Sequence, residues 1–306
     1  MFDNIMKGLL REVADLTDLP TGGAFNIRMN GQTAARSSSP NVQIITKEDK
    51  PGINIIIRPG TRETLHIPVI ISESGVKETV YNDFFIGDDS DVTIMAGCGI
   101  HNCGDEDSAH DGIHTFHVGK NAKVRYIERH YGEGEGRGRR LMNPTTVVHL
   151  AEGASVDMEN TQISGVDDTV RKTTATLEAG ATLIVHEKVM TTGTQQAISD
   201  FVADMNGEGS HCDIVSRTVA RDQSHQKFVS TINGNAPCTG HTECDSILMD
   251  SATVIACPQL SASCIDASLI HEAAIGKIAG EQIIKLMTLG LTEQEAEEQI
   301  VNGFLQ

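Results

Sequence analysis

The sequence predicts an all-β fold with helical termini: a parallel β-helix whose coils stack along one axis. Three observations lead there. From residue 24 to about residue 267, short β-branched runs are punctuated by Gly, Asn and Asp, and no segment of helical periodicity interrupts them. Within that stretch one phrase recurs: Gly, a few small or polar residues, then alternating β formers. It stands at 87–94, 119–126, 153–158, 180–185 and 209–215, at intervals of about 27 to 34 residues, the period of a stacked repeat. Aromatic residues are only 4% of the chain and Trp is absent, so the core must come from Ile, Val, Leu and Ala, which suits thin stacked strands. A β-sandwich would show similar turns. The repeated phrase favours the coil, with each turn at the Gly and each Val or Ile stacked on the coil below.

The elements follow in order. Residues 2–16 place Ile5, Leu9, Val13 and Leu16 at helical spacing, and Pro20-Thr21-Gly22-Gly23 ends that helix. This sets an N-terminal helical unit at 1–20 and the β-helix core at 21–267. Strand-like runs within the core include 53–57, 67–71, 124–127, 145–150, 182–185 and 214–219. Residues 268–306 form a C-terminal helical segment. Ile278, Ile283, Leu286, Met287 and Leu289 fall near helical spacing, and Gly290 reads as the stop just past a helix end. Thr292-Glu293-Gln294-Glu295 has the form of a capping box, and Ala296, Ile300 and Phe304 line one face of the helix it starts. These helices are expected to cap the open end of the β-helix and to offer a face to a partner.

Composition narrows the function. A chain of 306 residues can bury a substantial core. The formal net charge of -18 repels phosphate backbones and anionic lipid, so nucleic acid and membrane surfaces are excluded as expected partners. No apolar run approaches the roughly 20 residues that span a bilayer. The start, Met1-Phe2-Asp3-Asn4-Ile5-Met6-Lys7, has no signal-peptide h-region, so a cytoplasmic location is expected. Seven cysteines, an odd number at irregular spacing without a Cys-x-x-Cys pair, point to reduced thiols and away from a disulfide framework or zinc knuckle.

Two constellations could carry chemistry. Cys244 lies in Thr242-Glu243-Cys244-Asp245-Ser246, a strand-like stretch with polar and acidic neighbours, and His271-Glu272 follows about 27 residues on, one repeat length later. Positions one repeat apart lie above each other in a coil stack, so Cys244 and His271 are expected to meet on adjacent coils. A thiolate suits iron and sulfide, whereas imidazole and carboxylate hold iron more labilely. The second constellation is Cys98, His101, Cys103, His110, His114 and His117, which holds four of the twelve histidines. With Asp111 nearby it could ligate zinc or iron in a metal enzyme, or serve as hydrogen-bonded polar residues of the coil. Gly132-Glu133-Gly134-Glu135-Gly136-Arg137-Gly138 lacks the Lys-Ser/Thr of a phosphate loop and reads as a flexible hairpin or edge turn. No Gly-x-Ser-x-Gly elbow is present. A β-helix polysaccharide lyase would want exposed aromatics, which three Tyr and no Trp do not supply.

Several of these stretches resemble one known family. Ser216-Arg217-Thr218-Val219-Ala220, Phe228, Glu243-Cys244-Asp245-Ser246, His271-Glu272-Ala273, Lys277-Ile278, Glu281-Gln282 and Ile300-Val301-Asn302-Gly303-Phe304 are similar to the core domain shared by SufB and SufD, scaffold components of SUF iron–sulfur cluster assembly. Ala96-Gly97-Cys98-Gly99-Ile100-His101 and His110-Asp111-Gly112-Ile113-His114 resemble archaeal-type members. The resemblance implies a right-handed parallel β-helix followed by a short C-terminal α-helical segment. It implies that this segment, through Ile278, Ile283, Leu286, Met287, Ile300 and Phe304, docks a SufC-like ABC ATPase that binds the ATP. It implies a scaffold without turnover of its own, dimerised with a second copy or a SufD-like paralogue. Cys244 then matches the sulfur-accepting cysteine, Glu272 the glutamate beside it, and His271 the histidine of the shared site for a transient iron–sulfur cluster. SufB proteins have a long N-terminal helical region where this chain offers residues 1–16, so the resemblance is to a minimal SufB-like member.

Overall fold

The computed structural model describes residues 3–305. Two ten-stranded sheets carry most of the chain. The first passes through Gln32–Ser37, Ala24–Met29, Thr64–Ile71, Asp91–His101, Lys123–Glu133, Ser155–Ser164, Thr182–Thr191, Ser210–Ala220, Cys238–Leu248 and Ser268–Gly276. The second passes through Val42–Thr46, Gly52–Ile57, Lys77–Ile86, Ser108–Val118, the pair Arg140–Met142 and Thr145–Leu150, Asp168–Leu177, Gln196–Met205, His225–Gly234 and Thr253–Ala262. The chain alternates between the sheets, and from Thr64 onward every ladder is parallel. This is the expected β-helix: Val156 lies against Leu183, and Leu183 against Cys212 on the next coil.

Strand alternation builds the core. Along His225–Gly234 every second residue is buried, because successive side chains point to opposite faces. The inward residues stack in columns, among them Leu65, Ile94, Tyr126, Met158, Val185, Ile214 and Thr242, each directly above the last. Phe84 and Phe116 stack in the same core with ring centroids 4.4 Å apart.

The repeated Gly phrase makes one corner of the coil, with a refinement. The left-handed residue is the Gly itself in three copies, Gly153, Gly180 and Gly209, with φ of 68°, 65° and 73°. In the two earlier copies Asp89 and Asn121 take that conformation, at 56° and 55°; short polar side chains tolerate it next best. The corner is bonded along its length: Asp89, Asn121, Gly153, Gly180 and Gly209 each donate a backbone N–H to a carbonyl of the next coil. Gly87 serves a different need, since a Cβ there would lie 2.4 Å from the backbone nitrogen of Pro59.

The Gly-rich stretch expected to be a flexible turn is a packed inter-coil loop. A Cβ on Gly134, Gly136 or Gly138 would come within 2.4 Å of a carbonyl oxygen of Asn102, Gly104 or Glu106. Alternate residues face the loop at 102–106, so only hydrogen fits there. Arg139 pairs with Asp107 and Asp168, and Arg140 with Asp167, which anchor the loop's far end.

The two ends of the coil differ. At the N-terminal end the ladders Ala24–Met29 with Gln32–Ser37 and Val42–Thr46 with Gly52–Ile57 are antiparallel, and these two hairpins finish the stack. Helix α1, Asn4–Ala14, lies inside the expected 2–16 span; Phe2 falls outside the described residues. Asp3 caps it, and Leu9, Leu10 and Val13 bury against the first sheet, where Gly97 and Gly99 leave room for Val13 and Leu9.

At the C-terminal end the last strand, Ser268–Gly276, runs past the expected boundary at 267. Two helices follow, α2 at Gly280–Thr288 and α3 at Glu293–Phe304. The Thr292–Glu295 capping box forms, and Gly290 is left-handed at 101°. The helices do not cap the open end as expected. Val301, Leu305 and Phe304 pack on Val219, Ile247, Met190 and Met249, on the flank of three coils. Ile255, Leu260, Ile270 and Ile275 of the last coil remain 40% or more exposed.

Close inter-coil contact makes a stability prediction. Gly134→Ala should cost more than about 1 kcal/mol, since it combines φ of 107° with a backbone collision. Gly8→Ala, in the exposed middle of α1 with nothing within 4 Å, should stabilise by about 0.5–1 kcal/mol. Urea midpoints of the two variants should move in opposite directions.

Candidate functional site

Strand parity decides what the final coils present. In Cys238–Leu248, Thr242, Cys244 and Ser246 point inward, while His241, Glu243 and Asp245 point outward. The ladder to Ser268–Gly276 pairs Thr242 with His271, Glu243 with Glu272 and Cys244 with Ala273. The register therefore corrects the expected juxtaposition by two residues: Ala273, not His271, sits over Cys244. His271 lies over Thr242 and donates its Nδ1–H to the Thr242 carbonyl oxygen at 3.1 Å, so its Nε2 is the ring atom left to bind. Of the three expected site residues, Cys244 and His271 share the inward side and Glu272 lies on the outward side.

Inward, Cys244 is fully buried. Below Ala273 it stands in a column that continues through Ser216, Glu187, Asn160 and Glu128. This column is charged at its centre. Arg171, from the opposite sheet, forms a short ion pair with Glu128 and lies 3.7 Å from Glu187. Ser199 and Ser216 donate to the two Glu187 oxygens at 2.5 and 2.7 Å. A buried charge survives only when so paired. Burial, the largest single cause, would raise the Glu128 carboxyl; Arg171 first, then His130 and His114, together outweigh it and hold the carboxyl well below the usual range. Burial, with the Glu187 and Asp245 charges, pushes the Cys244 thiol up to about 11, against a smaller lowering by Ser246. Cys244 is thus a protonated thiol at neutral pH in this conformation.

Outward, His241, Glu243 and Glu272 bring one ligand atom each to within 4.8 Å of one another. His241 Nδ1 is 2.8 Å from Asp213 Oδ1, which fixes the ring and leaves Nε2 for a cation. A hydrogen bond with Asp245, then burial and the Asp245 charge, raise the Glu243 carboxyl. Crowded carboxylates beside an imidazole are a hard-cation donor set. A groove of about 500 Å³, lined by Glu159, His186, Lys188, Arg217 and Glu243, approaches the cluster along the same face. His241 and Glu243 were not singled out from the sequence. The signal was present in the alternation around Cys244, which puts residues 241, 243 and 245 on one face.

The second constellation does not converge. Among the described residues, the one metal-competent group of three is His241, Glu243 and Glu272. Cys98 is buried over His130. His110 faces Glu78 at 3.3 Å. His114 accepts from Asn82 at 3.3 Å and donates to the Tyr126 hydroxyl at 2.8 Å, and that hydroxyl donates to Glu128. His117 points outward, stacked between Phe85 and His149. His101 and Cys103 pair with each other at the surface.

The expected partner face is also redistributed. Ile278 and Phe304 pack against the flank cluster; Ile283 and Leu286 are half-buried, as is Ile300. Met287 is exposed, together with Ile284 and Leu289.

A β-helix whose final coils hold a buried thiol inside and a histidine–carboxylate cluster outside has the donor set of a metal–sulfur protein. Residues 79–304 match the SufBD core domain of the SUF system for FeS cluster assembly. Iron–sulfur cluster assembly SufBD family proteins from two strains of Methanothermobacter thermautotrophicus are each 31% identical, over 81% and 83% of this chain. The chain spans 60% and 62% of the length of those two relatives. A SufBD family protein of Methanocaldococcus jannaschii is 29% identical over 85% of this chain and 82% of its own. The chain belongs to the SufBD core domain family of iron–sulfur cluster assembly proteins. No helix among the described residues is long and apolar enough to cross a membrane.

The buried histidines make the core pH-sensitive. Desolvation, the largest cause, lowers His114 and His130 to about 4 from an unfolded value of 6.5. The unfolded chain therefore binds more protons between those values, and stability is lost as pH falls from 6.5 towards 4. Carboxylates begin to contribute only nearer 4.5. Urea midpoints should fall already between pH 7 and 5.5, and His114→Gln with His130→Gln should flatten that slope.

Proposed function

We propose that the chain is a scaffold on which iron and sulfide are brought together at the open end of the β-helix, with a second copy of the chain completing the site. The observation that carries this reading is the uncovered final coil. Both sheets end there in edge strands, Thr253–Ala262 and Ser268–Gly276, each paired on one side only among the described residues, with Ile255, Leu260, Ile270 and Ile275 exposed. An apolar sheet edge of that kind invites strand pairing. A second copy laid end to end would extend both sheets and bring two sets of Cys244, His271 and Glu272 to one seam.

In this reading Cys244 receives sulfur as the soft ligand, and His271 and Glu272 supply hard ligands for iron. Mixed ligands hold a cluster less tightly than four thiolates and suit a site that must release it. Iron and sulfide are the cargo, and the chain itself turns nothing over. Cys244 is buried with its thiol protonated, so loading it requires the last coil to open. We assign that work to a SufC-like ATPase that docks on α2, through exposed Ile284, Met287 and Leu289. The family of assembly proteins to which the chain belongs supports the reading.

Three outcomes follow from it. Cys244→Ser should fold and associate as the parent does but assemble no cluster in cells; undiminished assembly would sink the site. Ile255→Glu with Ile270→Glu should shift the mass in solution from dimer to monomer. Ile284→Glu with Met287→Glu should abolish co-purification with a co-expressed SufC-like ATPase while leaving the dimer intact; retained binding would remove α2 as the docking surface.

A further inference from the structure

The outer face of the first sheet carries a groove that the scaffold reading does not use. It has a volume of about 500 Å³, and its lining includes Glu159, His186, Lys188, Val215, Arg217 and Glu243. Strand register sets these side chains on successive coils. His186 pairs with Val215 and Val215 with Glu243, while Lys188 pairs with Arg217 two positions along the same face. Glu272 then stands beside Glu243 on the last coil. Adjacent strands lie about 4.8 Å apart, so Arg217 is one strand from Glu243 and two from Glu272.

The two ends of the groove differ in sign. At the last coils His241, Glu243 and Glu272 converge as donors for a hard cation. On the coils before them stand Arg217 and Lys188, with His186 alongside. The remaining acids of the lining are engaged elsewhere: Glu159 is held by Arg125 at 2.5 Å, and Glu187 turns inward to Ser199 and Ser216. Arg217 is exposed and joins no ion pair among the described residues. The hydrogen bond with Asp245 raises the Glu243 carboxyl most, and Arg217 opposes it, so the guanidinium charge reaches the cation cluster. The chain has 42 acidic and 24 basic side chains, so most of its surface attracts a bare cation and repels a small anion. A basic pair beside a histidine–carboxylate cluster instead fits a ligand of both signs, a hard cation wrapped in anionic oxygens. Arg grips carboxylate or phosphate oxygens in a two-pronged fork, Lys acts on them as a point charge, and the groove is of small-molecule size.

We propose that this groove receives iron as an anionic chelate: Arg217 and Lys188 hold the oxyanion groups of the carrier, and His241 and Glu243, joined by Glu272, take the metal from it. This deepens the scaffold reading, on which it rests, by naming the form in which iron meets the chain. The step is a ligand exchange. Each carrier oxygen that leaves the metal is replaced by the His241 Nε2 or by a carboxylate oxygen of Glu243 or Glu272. The iron keeps its oxidation state, and the freed carrier departs as the anion it was. Arg217 and Lys188 give the carrier a place to stay while its oxygens are exchanged one at a time.

The test is equilibrium dialysis of the full chain without oxygen, using labelled citrate or labelled pyrophosphate with and without Fe²⁺. One of the two carriers should be retained roughly 10-fold better with the metal than without it, within the usual range of coupling between two bound groups. The carrier retained distinguishes carboxylate from phosphate chemistry. Arg217→Gln with Lys188→Gln should lose that retention, and excess carrier should then strip iron from the chain. His241→Gln with Glu243→Gln should lose the gain that Fe²⁺ confers. Thermal melting should be unchanged in both double variants, since all four side chains lie on the outer face. Retention of neither carrier, or equal retention by the Arg217→Gln, Lys188→Gln chain, would overturn the proposal. Absence of retention beside a Cys244→Ser assembly defect would remove the groove and leave the scaffold reading standing. Retention beside normal assembly by Cys244→Ser would do the reverse.

Discussion

The in-register stacking of parallel coils is the constraint on which the rest of the structure depends. Adjacent strands must lie about 4.8 Å apart along the whole axis. Each residue therefore sits directly above one from the previous coil, and nothing wider than a side chain fits between. Glycine becomes obligatory wherever a loop must follow at the same spacing, as at Gly87, Gly134 and Gly138. The same rule turns a sequence position into a column, so chemistry placed on one coil is continued, or answered, on the next.

That continuation makes the interior unusual. The column below Cys244 runs through Ser216, Glu187, Asn160 and Glu128, and Arg171 reaches across from the other sheet to neutralise it. Removing one member of such a buried pair costs about 3–5 kcal/mol, so the set must persist whole or be replaced whole. An apolar column of Val and Ile would stack equally well. Burial above all, and then the charge of Glu187 in this column, disfavour a thiolate at Cys244.

Much of the architecture was legible in the sequence because it is repeated. The Gly phrase gave the period, β-branched runs gave the strands, and Thr292 to Glu295 gave the last helix start. What escaped depends on parity and register. A strand of polar and apolar residues does not announce which alternate set faces inward, and a shift of one residue exchanges the two faces. Arg171 in Thr169-Val170-Arg171-Lys172 reads as a surface residue, yet it is buried while Val170 is exposed. Coil length varies from one turn to the next, so counting 27 residues from Cys244 missed its true neighbour, Ala273, by two. Identity as a candidate ligand was readable; the grouping of ligands was not.

Parity also explains how one short strand can serve two kinds of ligand. Odd positions 241, 243 and 245 are hydrated and acidic, suited to a labile hard cation that exchanges with solvent. Even positions 242, 244 and 246 are dry, and the thiol among them is kept from water. The sheet separates the two sets by the thickness of one backbone, and only at an open coil end can they approach a common point. Anywhere else along the helix a further coil would seal the inward set. Placing Cys244 on the second-last coil of the first sheet leaves it one coil from exposure. Only Ser268–Gly276 separates Cys244 from the open end of the first sheet.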